Sequence, residues 1–196
     1  MKDILEFIEK ELLSYLSLFW ETLSKPGSLT LSSTAGGLGK FAAISAVIGA
    51  TLGAAAYPEK DMITILIIVS IMWLLLAAFS AFVCCVILRG RASFAQTVGS
   101  AFRVFATVFV VANAIALVAS IYAAVLLNER AEAAKYVFLV SQLILLTIYL
   151  VPVLRGLHSF SVGKTIIAAF MIIPIPLIYN GILFTVDSVP KIRIYK

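Results

Sequence analysis

The segment ITILIIVSIMWLLLAAFSAFVCCVIL, residues 63–88, runs for 26 positions without one Asp, Glu, Lys or Arg. At about 1.5 Å rise per residue, a helix of that length reaches about 39 Å, more than the ~30 Å hydrocarbon core of a bilayer. A run this long and this apolar reads as a membrane-crossing helix, and four more surround it: Phe41–Tyr57, Val104–Leu127, Tyr136–Leu154 and Thr165–Val186. About 20 residues are enough to cross. Only Phe41–Tyr57 falls short, at 17 residues, and Gly39 and Lys40 can extend it.

Composition agrees with that pattern. The chain of 196 residues is 62% apolar and 13% charged, whereas soluble domains carry about 25% charged residues. The net charge of +5 does not point to nucleic acid. Its Lys and Arg fall at the ends of the apolar runs, where they anchor helices at lipid headgroups. Cys84 and Cys85 are adjacent inside one run. Neighbouring helical positions point about 100° apart, which suits neither a disulfide nor a metal site.

Ahead of the spans, residues 1–24 form an amphipathic helix, with Ile4, Ile8, Leu12, Tyr15, Phe19 and Leu23 at helical spacing. Asp3, Glu6, Glu9, Lys10, Glu11 and Glu21 make it acidic. Helices that lie on a membrane surface carry mostly Lys and Arg on the polar face, so this one is expected to pack on the protein itself. The first 24 residues also lack the uninterrupted apolar core of a cleavable signal, and the first span is expected to serve as an uncleaved one. Residues 25–40 are rich in Pro, Gly and Ser and read as a linker. Residues 41–186 hold the five spans and residues 187–196 form a tail.

In the first span, Ser45, Gly49 and Gly53 recur every four residues beside Ala46, Ala50 and Ala54. Small residues at that spacing let backbones approach closely, which predicts a central helix. Ser93 and Gln96 form a capping-box pattern, so the third helix should begin near Ser93. Pro174 and Pro176 should kink the last span. With the N-terminus cytoplasmic, the inner side carries Lys25, Lys40, Arg89, Arg91, Arg103, Arg155 and Lys164, seven cations against Lys60, Arg130 and Lys135 in the outer loops. The excess of positive charge favours N-in and C-out.

All ten acidic residues lie outside the five runs. Ion-coupled pumps place ionisable groups within the membrane, so coupled transport is not expected. His158 is the sole histidine, with Ser159 and Ser161 nearby and no acid in its loop, and it reads as a headgroup-level residue rather than a catalytic base. Gly39-Lys40 and Gly163-Lys164-Thr165 fail the phosphate-loop pattern at the glycine five positions upstream, where Thr34 and His158 stand. No cofactor and no metal site is expected. Three amides fall inside the spans, Asn113, Gln142 and Asn180, and should face the bundle interior as structural glue or, in an alternative reading, line a polar path.

Pro26 ahead of the first span, the loop Gly90-Arg91-Ala92-Ser93-Phe94-Ala95-Gln96-Thr97, and the run Leu154-Arg155-Gly156-Leu157-His158-Ser159-Phe160-Ser161-Val162-Gly163-Lys164 belong to one pattern. Over residues 20–186 the chain resembles the Yip1-domain family of multispanning membrane proteins, in its short prokaryotic form. That resemblance implies a five-helix bundle with a cytoplasmic N-terminus, and in eukaryotic members a role in vesicle traffic with small GTPases as partners. The Asp-Leu-Tyr-Gly-Pro type motif of those members is absent here, which argues against a GTPase partner.

The expectation is an all-α polytopic bundle in a prokaryotic inner membrane that is not an enzyme. It would act as a scaffold, accessory or membrane-organising factor, with lipids and another membrane or cytoplasmic protein as partners and self-association left open. Its working surface would comprise Arg89, Arg91, Ser93, Gln96, Arg155, His158 and Lys164. The alternative is a small uncoupled channel or lipid-handling protein using the amide-lined interior.

Overall fold

The computed structural model describes residues 2–26, 35–57, 62–126 and 131–186. Residues 58–61 and the tail after Val186 lie outside the described residues. The fold is all-α. Helix α1 spans Lys2–Ser24, α2 Ala35–Ala56, α3 Met62–Ala81, α4 Phe94–Leu126, α5 Ala131–His158, α6 Val162–Ile172 and α7 Pro174–Val186. Five stretches of the described residues are helices long and apolar enough to cross a membrane: α2, α3 with its continuation, α4, α5, and α6 together with α7. The chain is a polytopic bundle with an amphipathic helix on its flank.

Helix α2 starts at Ala35, inside the stretch read as linker. Gly36, Gly37 and Gly39 weaken a helix in isolation, but tertiary packing outweighs propensity once the helix has a face to bury. Ser93 and Gln96 exchange reciprocal backbone-to-side-chain bonds of 3.0 and 3.2 Å, and α4 begins at Phe94. At Ile173 the last span is broken into α6 and α7. Pro174 and Pro176 have no N–H to offer the carbonyls four residues upstream, so the ladder cannot pass through them.

The core is centred on α4, not on α2. Helix α4 packs against α2, α3 and α5, and an apolar 18-residue stretch of it is 61% buried against 39% for one of α2. The small-residue stripe sets how near α2 comes to that centre. A Cβ at Gly49 would collide with the ring of Phe109, and one at Gly53 would sit 3.0 Å from Asn113 Oδ1. Ser120 donates to the Ala56 carbonyl at 3.3 Å farther along the same interface.

Aromatic rings then tie the layers together. Trp73 of α3 meets Phe109 edge-on at 5.4 Å, Phe109 meets Phe138 of α5 at 6.5 Å, and Phe138 meets Tyr57 at 6.3 Å. Edge-on pairs of this kind contribute about 0.5–1.5 kcal/mol each beyond their buried area. The chain of rings runs through four consecutive elements and closes where Tyr57 donates to the Ala134 carbonyl.

Past Ala81, α3 widens into a π-helical turn over Phe82–Ile87, which buries Val83 and Cys84. Such turns mark places where a helix has been re-aimed, frequently near functional sites. Here it rotates Cys85 toward the loop that follows.

Candidate functional site

Arg89, Arg91, Arg155 and Lys164 all lie at one end of the bundle, which we call the basic end. Two loops from distant parts of the chain build it. The first follows the π-helical turn of α3, and the second joins α5 to α6. Each loop turns on a non-glycine residue in the left-handed region, Arg89 at φ 51 and Ser159 at φ 51. That conformation ends a helix sharply by letting the next amide reach back to a free carbonyl. Gly90 N–H accordingly reaches the Cys84 carbonyl at 2.8 Å, and Phe160 N–H the Arg155 carbonyl at 3.2 Å. In the second loop Ser161 caps α6, its hydroxyl accepting from the Lys164 amide.

His158 joins the two loops. The sequence placed it on the working surface at headgroup level; instead it is 2% exposed and leaves that surface. Its Nε2 lies 3.0 Å from Thr97 Oγ1, and its ring stacks on Phe160 at 4.9 Å. Gly90 has no side chain because the imidazole fills the space that a Cβ would need. The burial follows from its contacts: Gly90 leaves room for the ring, Phe160 covers one face, and Thr97 offers a polar partner. Thr97 is held in turn by the Ser93 carbonyl at 3.0 Å and touches Cys85 Sγ at 3.4 Å. Cys85 also donates to the Ala92 carbonyl at 3.5 Å. Thr97 touches both the thiol and the imidazole, so the hydroxyl lies between the other two.

Around this buried junction Arg89, Arg91, Ser93, Gln96, Arg155 and Lys164 are all exposed. Six of the seven residues proposed from sequence are therefore brought to one surface. Lys164 lies across the junction, donating to the Leu88 carbonyl at 2.9 Å with its ammonium 5.9 Å from the Phe160 ring. No acidic residue occurs between Asp61 and Glu129 or between Glu132 and Asp187, so both loops are purely cationic.

Helix α1 docks beside this surface, against α2 and α4. Arg103 anchors it, donating to the Glu21 carboxylate and the Leu18 carbonyl, both at 2.7 Å. The guanidinium is 7% exposed and the carboxylate 44%, and the guanidinium also lies 5.9 Å from the Phe41 ring. Tyr15 stacks on Phe41 at 5.2 Å and accepts from Ser45 at 3.3 Å. Burial pushes the Tyr15 phenol above its ordinary pKa, and the Ser45 bond partly offsets this. Glu11 pairs with Lys40 at the exposed edge. Sequence periodicity found the helix but not this pin, because Arg103 looked like one more headgroup anchor.

The protein-facing side of α1 is only part of its apolar surface. Leu12, Leu13, Leu16 and Trp20 are exposed, Trp20 at 69%. At 100° per residue they form one flank, beside the buried row of Tyr15, Leu18 and Thr22. Lys10, Ser14, Ser17 and Glu21 lie on the opposite flank. The helix thus has three sides, one for protein, one apolar and one polar.

The interior amides are buried; two of them meet, and Asn113 stands apart. Asn180 Nδ2 donates to Gln142 Oε1 at 2.9 Å, joining α7 to α5. Asn113 donates to the Phe109 carbonyl of its own helix at 2.9 Å and faces Gly53. Each is held against a neighbouring helix. No family model, curated protein or solved structure matches the chain.

Proposed function

We propose that this is a non-enzymatic membrane protein, a scaffold or accessory subunit that works through its basic end on the cytoplasmic side. One observation carries this. Two loops separated by more than 60 positions are joined by the His158–Thr97 contact into a single surface whose loop charges are all positive. A surface fixed in shape and uniform in charge suits recognition of an acidic partner, because complementary charge speeds encounter and rejects wrong partners. The likeness to the Yip1-domain family in these two loops points the same way. Gln142 and Asn180 bond to each other and Asn113 bonds to its own helix, which favours structural glue over a polar path.

The test is replacement of Arg89, Arg91, Arg155 and Lys164 by Gln, followed by purification from the native membrane in mild detergent. The expected result is loss of co-purifying protein from a variant that keeps the helical content and melting behaviour of the parent. Partners retained by such an intact variant would refute the proposal.

A further inference from the structure

Two apolar grooves flank the broken last span. One, of 410 Å³, runs between α3 and α7 past Ile71, Leu75, Phe79 and Tyr179. The other, of 430 Å³, runs between α5 and α6–α7 past Leu143, Thr147, Val151, Ile166, Phe170 and Leu177. Both are bounded by membrane-span residues, and acyl chains are the solvent at that depth.

The grooves differ at their mouths. Along α3 the row Ile71, Leu75, Phe79 continues four residues on to Val83, which is completely buried. Along α5 the row Leu143, Thr147, Val151 continues to Arg155, which is exposed and makes no side-chain hydrogen bond or ion pair with any described residue. On the facing helix, Ile166 leads back one turn to Gly163, where an added Cβ would meet nothing within 4 Å. Lys164 is already engaged by the Leu88 carbonyl, which leaves Arg155, one turn beyond Val151 on the same row, as the cation that continues the groove's lining along α5. From Arg155 to Leu143 is about 18 Å along the helix axis, close to the depth of one leaflet, about 15 Å.

We infer that the groove between α5 and α6–α7 is a site for an anionic glycerophospholipid, with one acyl chain in the groove and the phosphate at Arg155 beside Gly163. Basic positions between spans at a headgroup surface recognise anionic lipids in this manner. The site shares Arg155 with the surface proposed above, but its readout, lipid retention, does not require the protein partnership.

Native mass spectrometry of the full chain in mild detergent, with equal amounts of phosphatidylglycerol and phosphatidylcholine added, tests it. The parent should retain phosphatidylglycerol preferentially, and Arg155→Gln should lower that retention about fivefold, as expected for the loss of one interfacial cation. Arg91→Gln, on the same surface but away from the groove, should leave it unchanged. Thr147→Trp fills the groove from an exposed position and should displace the lipid, and Val151→Phe repeats the block one turn higher. Equal retention of the two lipids by the parent would overturn the site. So would equal losses from Arg91→Gln and Arg155→Gln, or full retention by both groove-filling variants.

Discussion

Helix α4 and the α6–α7 span are both apolar and both cross the bundle, yet they are held in opposite ways. An apolar 18-residue stretch of α4 is 61% buried, while for the last span the figure is 28%. Helix α4 is fixed by ring stacking, close glycine contacts and the pin to α1. The last span is broken by proline, flanked by grooves, and tied to α5 by the Gln142–Asn180 bond. The contrast teaches that apolar character alone does not separate a framework helix from a lipid-facing one. What separates them is whether small residues and aromatic rings on neighbouring helices are shaped to receive the side chains.

The difference can be broken most severely at the framework. Gly49→Leu should drive a side chain into the Phe109 ring, which is already hemmed in by Trp73 and Phe138. Overpacking of this kind costs ~3 kcal/mol, read as a large fall in melting temperature in detergent. A bulky residue at Gly163 should be tolerated at that same measurement, since nothing lies near it. Equal damage at both positions would erase the distinction between the two regions.

A smaller effect is expected at the loop junction. Thr97→Val removes the hydroxyl and leaves the His158 imidazole without that partner in a buried site, at a cost of ~2 kcal/mol. The loss should appear as faster hydrogen exchange at residues 89–97 and 155–164 together, because the contact joins the two loops. Exchange that rises in one loop alone would show that they are not coupled.

The smallest effect belongs to the last span. Gln142→Leu and Asn180→Leu, combined in a double-mutant cycle, should show a coupling of ~0.6 kcal/mol, the ordinary magnitude for an interhelical bond in a membrane protein. A coupling of several kcal/mol would mean that α7 is as firmly held as α4.

The fold was legible because the forces that set it act along the chain. Long uncharged runs demand lipid, the Ser93–Gln96 spacing marks a helix start, and the Pro174–Pro176 pair breaks the ladder of the last span, although Pro152 is carried inside α5. The basic surface was legible for the same reason, since loop cations sit next to the spans that they end. What was missed depends on contacts distant in sequence. His158 is buried by Phe160, Thr97 and Gly90, and no local rule reports that a glycine 68 positions upstream leaves room for it. Arg103 is pinned by Glu21 across 82 positions. The stripe in α2 correctly marked close approach, but periodicity cannot say which of two touching helices lies nearer the centre.

The account stands on five crossings that put α1 and both basic loops on one side. Single cysteines at Glu6, Arg91, Ser161 and Met62, on a Cys84→Ala, Cys85→Ala background, can be challenged with an impermeant thiol reagent in sealed vesicles of each orientation. Glu6, Arg91 and Ser161 should react together from one side, and Met62 only from the other. Arg91 and Ser161 reacting from opposite sides would contradict it.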